Sequence, residues 1–135
     1  MAMNEISPPT PAPQEQLCLL LVEDDALVRT TVALMLEDDG FNVVEASTAT
    51  EALCMIAGGL KAVAIVTDVD LGAGRNGMEL ADELRRLGSD LAIVFTTGRV
   101  ASIAGRQLAE REAVLPKPFE SQALSRLVRE LVNAG

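Results

Sequence analysis

Five short apolar runs, each followed by polar residues, set the hydrophobic pattern of this sequence. They predict strands over 17–22, 41–46, 62–66, 92–96 and 113–115. The middle run consists of small and β-branched residues at consecutive positions, which is typical of a strand that is buried on both faces. The pattern therefore indicates a sheet whose central strand lies inside the molecule.

Between these runs, apolar residues repeat at helical spacing. The repeats predict helices over 26–38, 50–57, 78–87, 100–112 and 121–132. The last helix has a clear apolar stripe. The segment 100–112 contains Gly105 and few residues suited to a core, so we expect it to be more mobile than its neighbours. Alternating strands and helices favour an α/β fold, in which a parallel sheet carries helices on both faces.

The composition predicts one domain with an aliphatic core, over 17–135. Of the 135 residues, 49% are hydrophobic but only 2% are aromatic. Residues 1–16 contain four of the six prolines among polar residues, and we expect a flexible tail there. Cys18 and Cys54 lie inside apolar segments, so we expect two reduced, buried thiols rather than a disulfide.

The formal net charge of −9 limits the partners of this chain. Such an acidic surface repels the phosphate backbones of nucleic acids, so we expect no nucleic-acid binding. No run of about 18 apolar residues is present, and the N-terminus lacks the features of a signal peptide. We therefore expect a cytoplasmic protein without membrane insertion. The absence of histidine excludes catalysis or metal binding by a histidine of this chain.

Polar side chains with complementary chemistry follow the predicted strands. Glu23 and Asp24 follow the first strand, Asp68 the third, Thr97 the fourth and Lys117 the fifth. In a parallel sheet these ends lie along one edge, where α/β proteins bind ligands. Asp25 extends the first group to three successive acids. Acids at a strand end also cap the following helix, and this explains one acid of the first group but not all three.

The carboxylates of Glu23, Asp24 and Asp68 would repel one another at this edge. A hard divalent cation such as Mg²⁺ relieves that repulsion. The amine of Lys117 and the hydroxyl of Thr97 can donate to phosphoryl oxygens. The set therefore predicts Mg²⁺-dependent phosphoryl transfer to a carboxylate, with Asp68 as the nucleophile.

Four motifs at these strand ends resemble a known family. They are Leu21-Val22-Glu23-Asp24-Asp25, Val66-Thr67-Asp68-Val69-Asp70, Phe95-Thr96-Thr97-Gly98 and Lys117-Pro118-Phe119. Together they are similar to the receiver domain of bacterial two-component response regulators, over residues 17–132. The resemblance implies a flavodoxin-like (βα)5 fold, which is a doubly wound parallel sheet with strand order 2-1-3-4-5. It also implies a cis peptide bond between Lys117 and Pro118.

The resemblance assigns Asp68 as the phosphoacceptor. It implies that Asp24 and Asp68 bind Mg²⁺ directly, together with the backbone carbonyl of Asp70. Glu23 would act through a water molecule that the cation holds.

The same resemblance implies that Lys117 contacts the phosphoryl group or Asp68, and that Thr97 is the switch hydroxyl. Asp70 and Arg99 occupy positions that flank this group and modulate how long it lasts. They would either pair across the site or remain two solvated charges.

The implied phosphodonor is the phosphohistidine of a sensor histidine kinase or of a histidine phosphotransfer protein. The implied role is that of a phosphoacceptor with slow autodephosphorylation at most, not of a turnover enzyme. Output would pass to a downstream protein partner, and we expect a monomer or a weak dimer.

The sequence departs from the family pattern in three ways, of which the last concerns the readout. Gly72 stands where the family usually has proline, and the loop over 68–77 is one residue longer than is common. Val114 replaces the aromatic residue of the switch. We therefore expect output to pass through the segment 98–112 instead of through a rotating ring.

Two other functions are compatible with parts of the pattern. Asp68-Val69-Asp70 fits the opening motif of haloacid-dehalogenase-like phosphatases, with Asp68 as nucleophile and Asp70 as acid and base. That motif normally lies on the first strand, whereas two strands precede it here, and Glu23 and Asp24 would have no role. The second alternative is a receiver-like binding module that is not phosphorylated, against which the intact acidic set argues.

Overall fold

The computed structural model describes residues 16–134. The predicted tail over 1–16 lies outside this range except for Gln16. The strands are β1 (Cys18–Val22), β2 (Asn42–Ala46), β3 (Ala64–Asp68), β4 (Ala92–Thr97) and β5 (Glu112–Pro116). The helices are α1 (Ala26–Asp38), α2 (Ala49–Ala57), α3 (Gly77–Arg86) and α4 (Ser121–Asn133), and a 3₁₀ turn covers Val100–Ile103. In this part of the chain, no helix is long and apolar enough to cross a membrane.

The five strands form one parallel sheet in the order β2-β1-β3-β4-β5. This confirms the doubly wound, flavodoxin-like arrangement with strand order 2-1-3-4-5. Every residue of β3 and β4 is buried, as the unbroken apolar run of the central strand predicts. Because the strands are parallel, their carboxyl ends lie along one edge of the sheet, and Asp68 pairs with Thr96 there.

Alternate residues of the strands enter two separate cores. Leu20, Ile65 and Phe95 belong to one core, which lies under α2 and α3. Leu19 and Val66 belong to the other, which lies under α1 and α4. This alternation follows from the two-residue period of a strand, and it covers both faces of the sheet with helices.

Side-chain caps fix where the helices begin after the strands. Asp25 accepts a hydrogen bond from Val28 N at 3.0 Å and caps α1, so one acid of the first group has the capping role that the sequence predicts. Asn76 and Glu79 form a capping box at the start of α3, with distances of 2.8 and 2.9 Å. These caps end the two loops that follow β1 and β3, and both loops belong to the sheet edge that carries the acids.

The prediction of a helix over 100–112 is wrong. The structure has the short 3₁₀ turn there and then an irregular segment up to β5. The Arg106 guanidinium bonds the Glu112 carboxylate at 3.1–3.2 Å and Asp82 at 2.7 Å, and it lies 5.1 Å from the centre of the Phe95 ring. Ala109 N donates to the same Glu112 carboxylate. Tertiary partners therefore satisfy this segment in place of helical hydrogen bonds.

The prediction of two buried thiols is wrong for Cys54. Both cysteines are free, but Cys54 is exposed on α2, while Cys18 is partly buried in β1. The helix turns Ala52 into the core and leaves Cys54 on the solvent side, which its short apolar sequence does not reveal.

Candidate functional site

Backbone hydrogen bonds continue past the strand ends and hold the site residues at one edge. Glu23 N donates to Ala46 O at 3.1 Å, Val69 N to Thr96 O at 2.9 Å, and Lys117 N to Thr97 O at 2.7 Å. Each of these bonds joins the residue after one strand to the end of a neighbouring strand. The sheet itself therefore positions the polar groups that the sequence places at its carboxyl ends.

Three carboxylates meet at this edge. One oxygen from each of Glu23, Asp24 and Asp68 lies within 4.8 Å of the other two, and we call these residues the acidic cluster. Glu23 is 5% exposed and Asp68 is 9% exposed, whereas Asp24 is open to solvent. A cation could therefore reach the cluster from the side of Asp24.

Burial raises the pKa of the Glu23 and Asp68 carboxyl groups above their ordinary values, although Lys117 acts in the opposite direction. Desolvation thus disfavours two negative charges that stand beside a third. Carboxylate oxygens are the ligands that Mg²⁺ prefers, and a divalent cation offsets this unfavourable charge. The donor set fits a hard divalent cation.

Lys117 reaches into the acidic cluster from the end of β5. Its Nζ lies 3.3 Å from Glu23 Oε1 and 3.4 Å from Asp68 Oδ2. Burial acts to lower the pKa of this amine, but the attraction of Asp68 and Glu23 outweighs it and raises the pKa. Lys117 is therefore charged at neutral pH. The Lys117–Pro118 bond is cis, as the resemblance implies.

Thr97 ends β4, and its hydroxyl is engaged by the segment that follows it. Thr97 Oγ1 accepts from Arg99 N at 2.9 Å and lies 3.0 Å from Arg99 O. Ser102 Oγ is 3.4 Å away and donates to the same Arg99 carbonyl at 2.7 Å. These contacts bind Thr97 to the 3₁₀ turn, so the structure brings Thr97 to the predicted edge with its hydroxyl directed to the turn.

Asp70 and Arg99 pair, which is one of the two arrangements left open by the sequence. Arg99 Nη2 lies 3.3 Å from both carboxylate oxygens of Asp70. The side chains are 74% and 49% exposed for Arg99 and Asp70, so this pair contributes little to stability. It spans the gap between the loop after β3 and the segment after β4.

Two glycines make room for the site, and sequence reasoning did not assign them this role. A Cβ on Gly72 would lie 2.9 Å from Asp24 Oδ2, and a Cβ on Gly77 would lie 2.3 Å from Asp68 O. Gly72 also has a φ of +71°, which side chains rarely adopt. The departure from proline at 72 was the only signal in the sequence that could have pointed to this close approach.

Arg29 is a further site residue that the sequence did not indicate. Its Nη1 donates to Glu23 O at 2.9 Å, and its Nε donates to Glu45 Oε1 at 3.1 Å. An arginine in the second turn of a helix has no distinguishing pattern, because its partners come from other elements.

Known proteins are similar to this chain in sequence and in fold. The family model of the response regulator receiver domain matches residues 19–129. The aerobic respiration control protein ArcA of Escherichia coli (strain K12) is 31% identical over 118 residues, which cover 85% of this chain and 48% of that protein. Response regulator MprA of Mycobacterium avium (strain 104) is 35% identical over 118 residues, which cover 85% of this chain and 50% of that protein.

Among solved structures, the response regulator receiver protein from Sinorhizobium medicae WSM419 matches with a TM-score of 0.81 and 27% identity, covering 89% of this chain and 97% of that chain. A sensor protein from Polaromonas sp. JS666 matches with a TM-score of 0.79 and 26% identity, covering 87% and 97%. The chain spans about half the length of the curated relatives it matches.

The matches favour neither alternative function. The Asp68-Val69-Asp70 motif ends the third strand of the chain, not the first as in the phosphatases. The acidic cluster, which a binding module without phosphorylation would not need, is intact. The strand order, the acidic cluster beside Lys117 and the family match agree, and the chain belongs to the response regulator receiver domain family, the phosphoacceptor signalling domain of two-component systems.

Proposed function

We propose that Asp68 accepts a phosphoryl group from the phosphohistidine of a sensor histidine kinase or of a histidine phosphotransfer protein. The observation that carries this proposal is the Asp68 carboxylate, which lies at the edge of the sheet with the Lys117 amine 3.4 Å away. An Asp68 oxygen attacks phosphorus while the phosphorus–nitrogen bond of the donor breaks. The imidazole leaves with the electron pair and takes up a proton, and the product is an aspartyl phosphate.

The acidic cluster is the proposed site of Mg²⁺. Asp24 and Asp68 would bind the cation directly with the backbone carbonyl of Asp70, and Glu23 would act through water. When bound, Mg²⁺ supplies positive charge against the carboxylates and the transferred phosphoryl group. The Lys117 amine donates to a phosphoryl oxygen, so a side chain of the protein also supplies positive charge against the phosphoryl group.

The proposed readout runs through the segment 98–111. Thr97 is bound to Arg99 and Ser102 in the structure, so its hydroxyl must leave them in order to donate to a phosphoryl group on Asp68. That movement removes the contacts that hold the 3₁₀ turn against β4. Since Val114 stands where the family has an aromatic ring, the turn carries the change to a downstream protein partner. The Asp70–Arg99 pair, which flanks the site, tunes how long the phosphoryl group lasts.

An apolar groove beside Lys117 is suited to the phosphodonor. It is lined by Val28, Val32, Met35, Lys117, Pro118 and Phe119. On the same helix Leu27 is 77% exposed and Leu34 is 60% exposed. Lys117 lines this groove, and its amine contacts Glu23 and Asp68 of the acidic cluster, so a donor seated on α1 has its phosphohistidine next to Asp68. A net charge of −9 favours such a protein partner over nucleic acid. A cytoplasmic monomer or weak dimer fits this role.

Incubation with Mg²⁺ and acetyl phosphate tests the phosphoacceptor. Intact-mass measurement should show one added phosphoryl group on the unsubstituted chain and on Asp70→Asn, and none on Asp68→Asn. Persistence of the added mass in Asp68→Asn would contradict the assignment. Repeated hydrolysis of a phosphate ester that requires Asp70 would instead favour the phosphatase.

A further inference from the structure

Glu23, a member of the acidic cluster, is fixed through both its backbone and its side chain. Its N–H donates to Ala46 O, and its Oε2 accepts from Asp25 N at 3.1 Å. Its carbonyl accepts from Arg29 at 2.9 Å. The Arg29 bond differs from the other two, because its partner is a side chain, whereas theirs are backbone groups.

We propose that Arg29 is a positioning residue for the cation site, acting through the carbonyl of Glu23. This inference rests on the proposed Mg²⁺ site. That carbonyl belongs to the planar peptide unit that joins Glu23 to Asp24. Holding the oxygen therefore fixes the plane from which the Asp24 side chain leaves, and Asp24 is the exposed carboxylate of the acidic cluster.

Glu45 orients the guanidinium that makes this contact. It accepts from Arg29 Nε at 3.1 Å while Nη1 holds the Glu23 carbonyl, so one planar group spans two acceptors. Glu45 lies on β2, next to β1. β1 leads into Glu23, Asp24 and Asp25, which we call the acidic turn. The Arg29 side chain is 20% exposed. It thus joins α1, the acidic turn and β2 at one point.

The charge of Arg29 and its position predict opposite effects on cation binding. A positive charge near the acidic cluster repels Mg²⁺, so its removal alone would tighten binding. Loss of the hydrogen bond to the Glu23 carbonyl frees the acidic turn and weakens binding. Outer partners of metal ligands commonly change metal affinity by about 10–100-fold when they are removed. The direction of the change therefore separates the two roles.

Calorimetric titration of the unphosphorylated chain with Mg²⁺ tests this role. Arg29→Met should weaken Mg²⁺ binding about ten-fold. Arg29→Lys keeps one donor that can reach the Glu23 carbonyl but cannot span both acceptors, so it should weaken binding by a smaller factor. Glu45→Gln should shift it in the same direction. Arg86→Met is the matched control, because Arg86 is an exposed arginine paired with Glu83 on α3. The Mg²⁺ affinity of this variant should stay within about two-fold of that of the unsubstituted chain.

A second readout follows phosphorylation by acetyl phosphate. The Mg²⁺ concentration for half-maximal rate should rise in Arg29→Met, while the rate at saturating Mg²⁺ is retained. Unchanged or tighter Mg²⁺ binding by folded Arg29→Met would overturn the proposal. If its melting temperature in EDTA is lower at the same time, Arg29 stabilises the fold and does not position the cation site. If Arg29→Met does not fold, unchanged affinity in Glu45→Gln has the same consequence. A wild-type chain that binds no Mg²⁺ overturns the cation site itself, and with it the role of Arg29.

Discussion

At the residue scale, Gly72 sets the distance between the loop after β3 and the acidic cluster. A methyl group there would stand 2.9 Å from Asp24 Oδ2, at a φ of +71°. The left-handed backbone costs an alanine roughly 1–2 kcal/mol, and the Asp24 carboxylate must also move away. Because that carboxylate is exposed, the contact should disturb cation binding more than folding.

Gly72→Ala should therefore weaken Mg²⁺ binding several-fold, as measured by calorimetric titration. Gly74→Ala is the matched control. Gly74 lies in the same loop with a φ of +89°, but a Cβ there meets no atom within 4 Å among the described residues. Both variants carry the backbone strain, and only the first meets Asp24. Equal Mg²⁺ affinities in the two variants would contradict a role for the close approach.

The sequence predicts the role of a residue when that role depends on its neighbours in the chain. It does not predict the role of a residue that acts through contacts with distant parts of the chain. Asp25 follows a strand and precedes a helix, so its capping role could be anticipated. Arg29 and Gly72 act on groups that reach them only in the folded molecule. The amino-acid type of Arg29 carries no mark of that contact, and at position 72 the departure from the proline usual in the family is the one sign of it.

At the element scale, a buried carboxylate holds the segment between β4 and β5. The Glu112 side chain is fully buried and pairs with Arg85 and Arg106, whose side chains are 24% and 14% exposed. Arg106 also reaches Asp82 on α3, where the carboxylate is 68% exposed. The segment is thus attached to both β5 and α3 through one guanidinium.

Glu112→Gln should destabilise the chain by about 3–5 kcal/mol, because it removes the buried counter-charge that Arg85 and Arg106 share, and Arg106 then retains the exposed carboxylate of Asp82. Urea unfolding measures this difference. Asp82→Asn breaks the exposed arm of the same network, and it should cost no more than about 1 kcal/mol. Similar losses in the two variants would show that the buried pairing does not hold the segment.

The strength of the hydrophobic pattern decides which elements the sequence predicts. The bounds of α1 agree with the prediction over 26–38, and α4 exceeds its prediction by one residue. The segment 100–112 has only a weak apolar pattern, and the ion pairs of Arg106 determine its course. β3 begins two residues later than predicted and continues through Asp68, because pairing with β4 extends to Thr96.

At the scale of the whole molecule, the hydrophobic pattern predicts a parallel sheet but not the order of its strands. The order 2-1-3-4-5 came from the family resemblance, and the structure confirms it. That order makes β3 the neighbour of both β1 and β4, so Asp68 stands between the acidic turn and Thr97. Residues separated by 94 positions, Glu23 and Lys117, thereby come within 3.3 Å.

The ionisation of Asp68 in the assembled site should change the melting temperature of the chain. Burial raises the pKa of Asp68, so ionisation of this group opposes folding. The protonated Asp68 carboxyl group favours the folded state. Its contribution to the free energy of unfolding is fully present below the pKa of the unfolded chain, and it is lost as pH rises through the higher pKa of the folded state. In EDTA at neutral pH, Asp68→Asn should therefore melt at a higher temperature than the unsubstituted chain. This difference should shrink as pH falls and the wild-type carboxyl group becomes protonated.

Mg²⁺ should reverse that order at neutral pH. A cation that binds only the folded state stabilises it in proportion to the logarithm of its concentration above Kd, and Asp68→Asn lacks one of the proposed ligands. Thermal melts in EDTA and in millimolar Mg²⁺, at several pH values, measure both effects on the same two proteins. The Mg²⁺ increment of the unsubstituted chain should decline toward acidic pH, because protons compete for the carboxylates. If Mg²⁺ raises the melting temperatures of both proteins equally, Asp68 does not bind the cation. That result would not depend on whether Asp68 is phosphorylated.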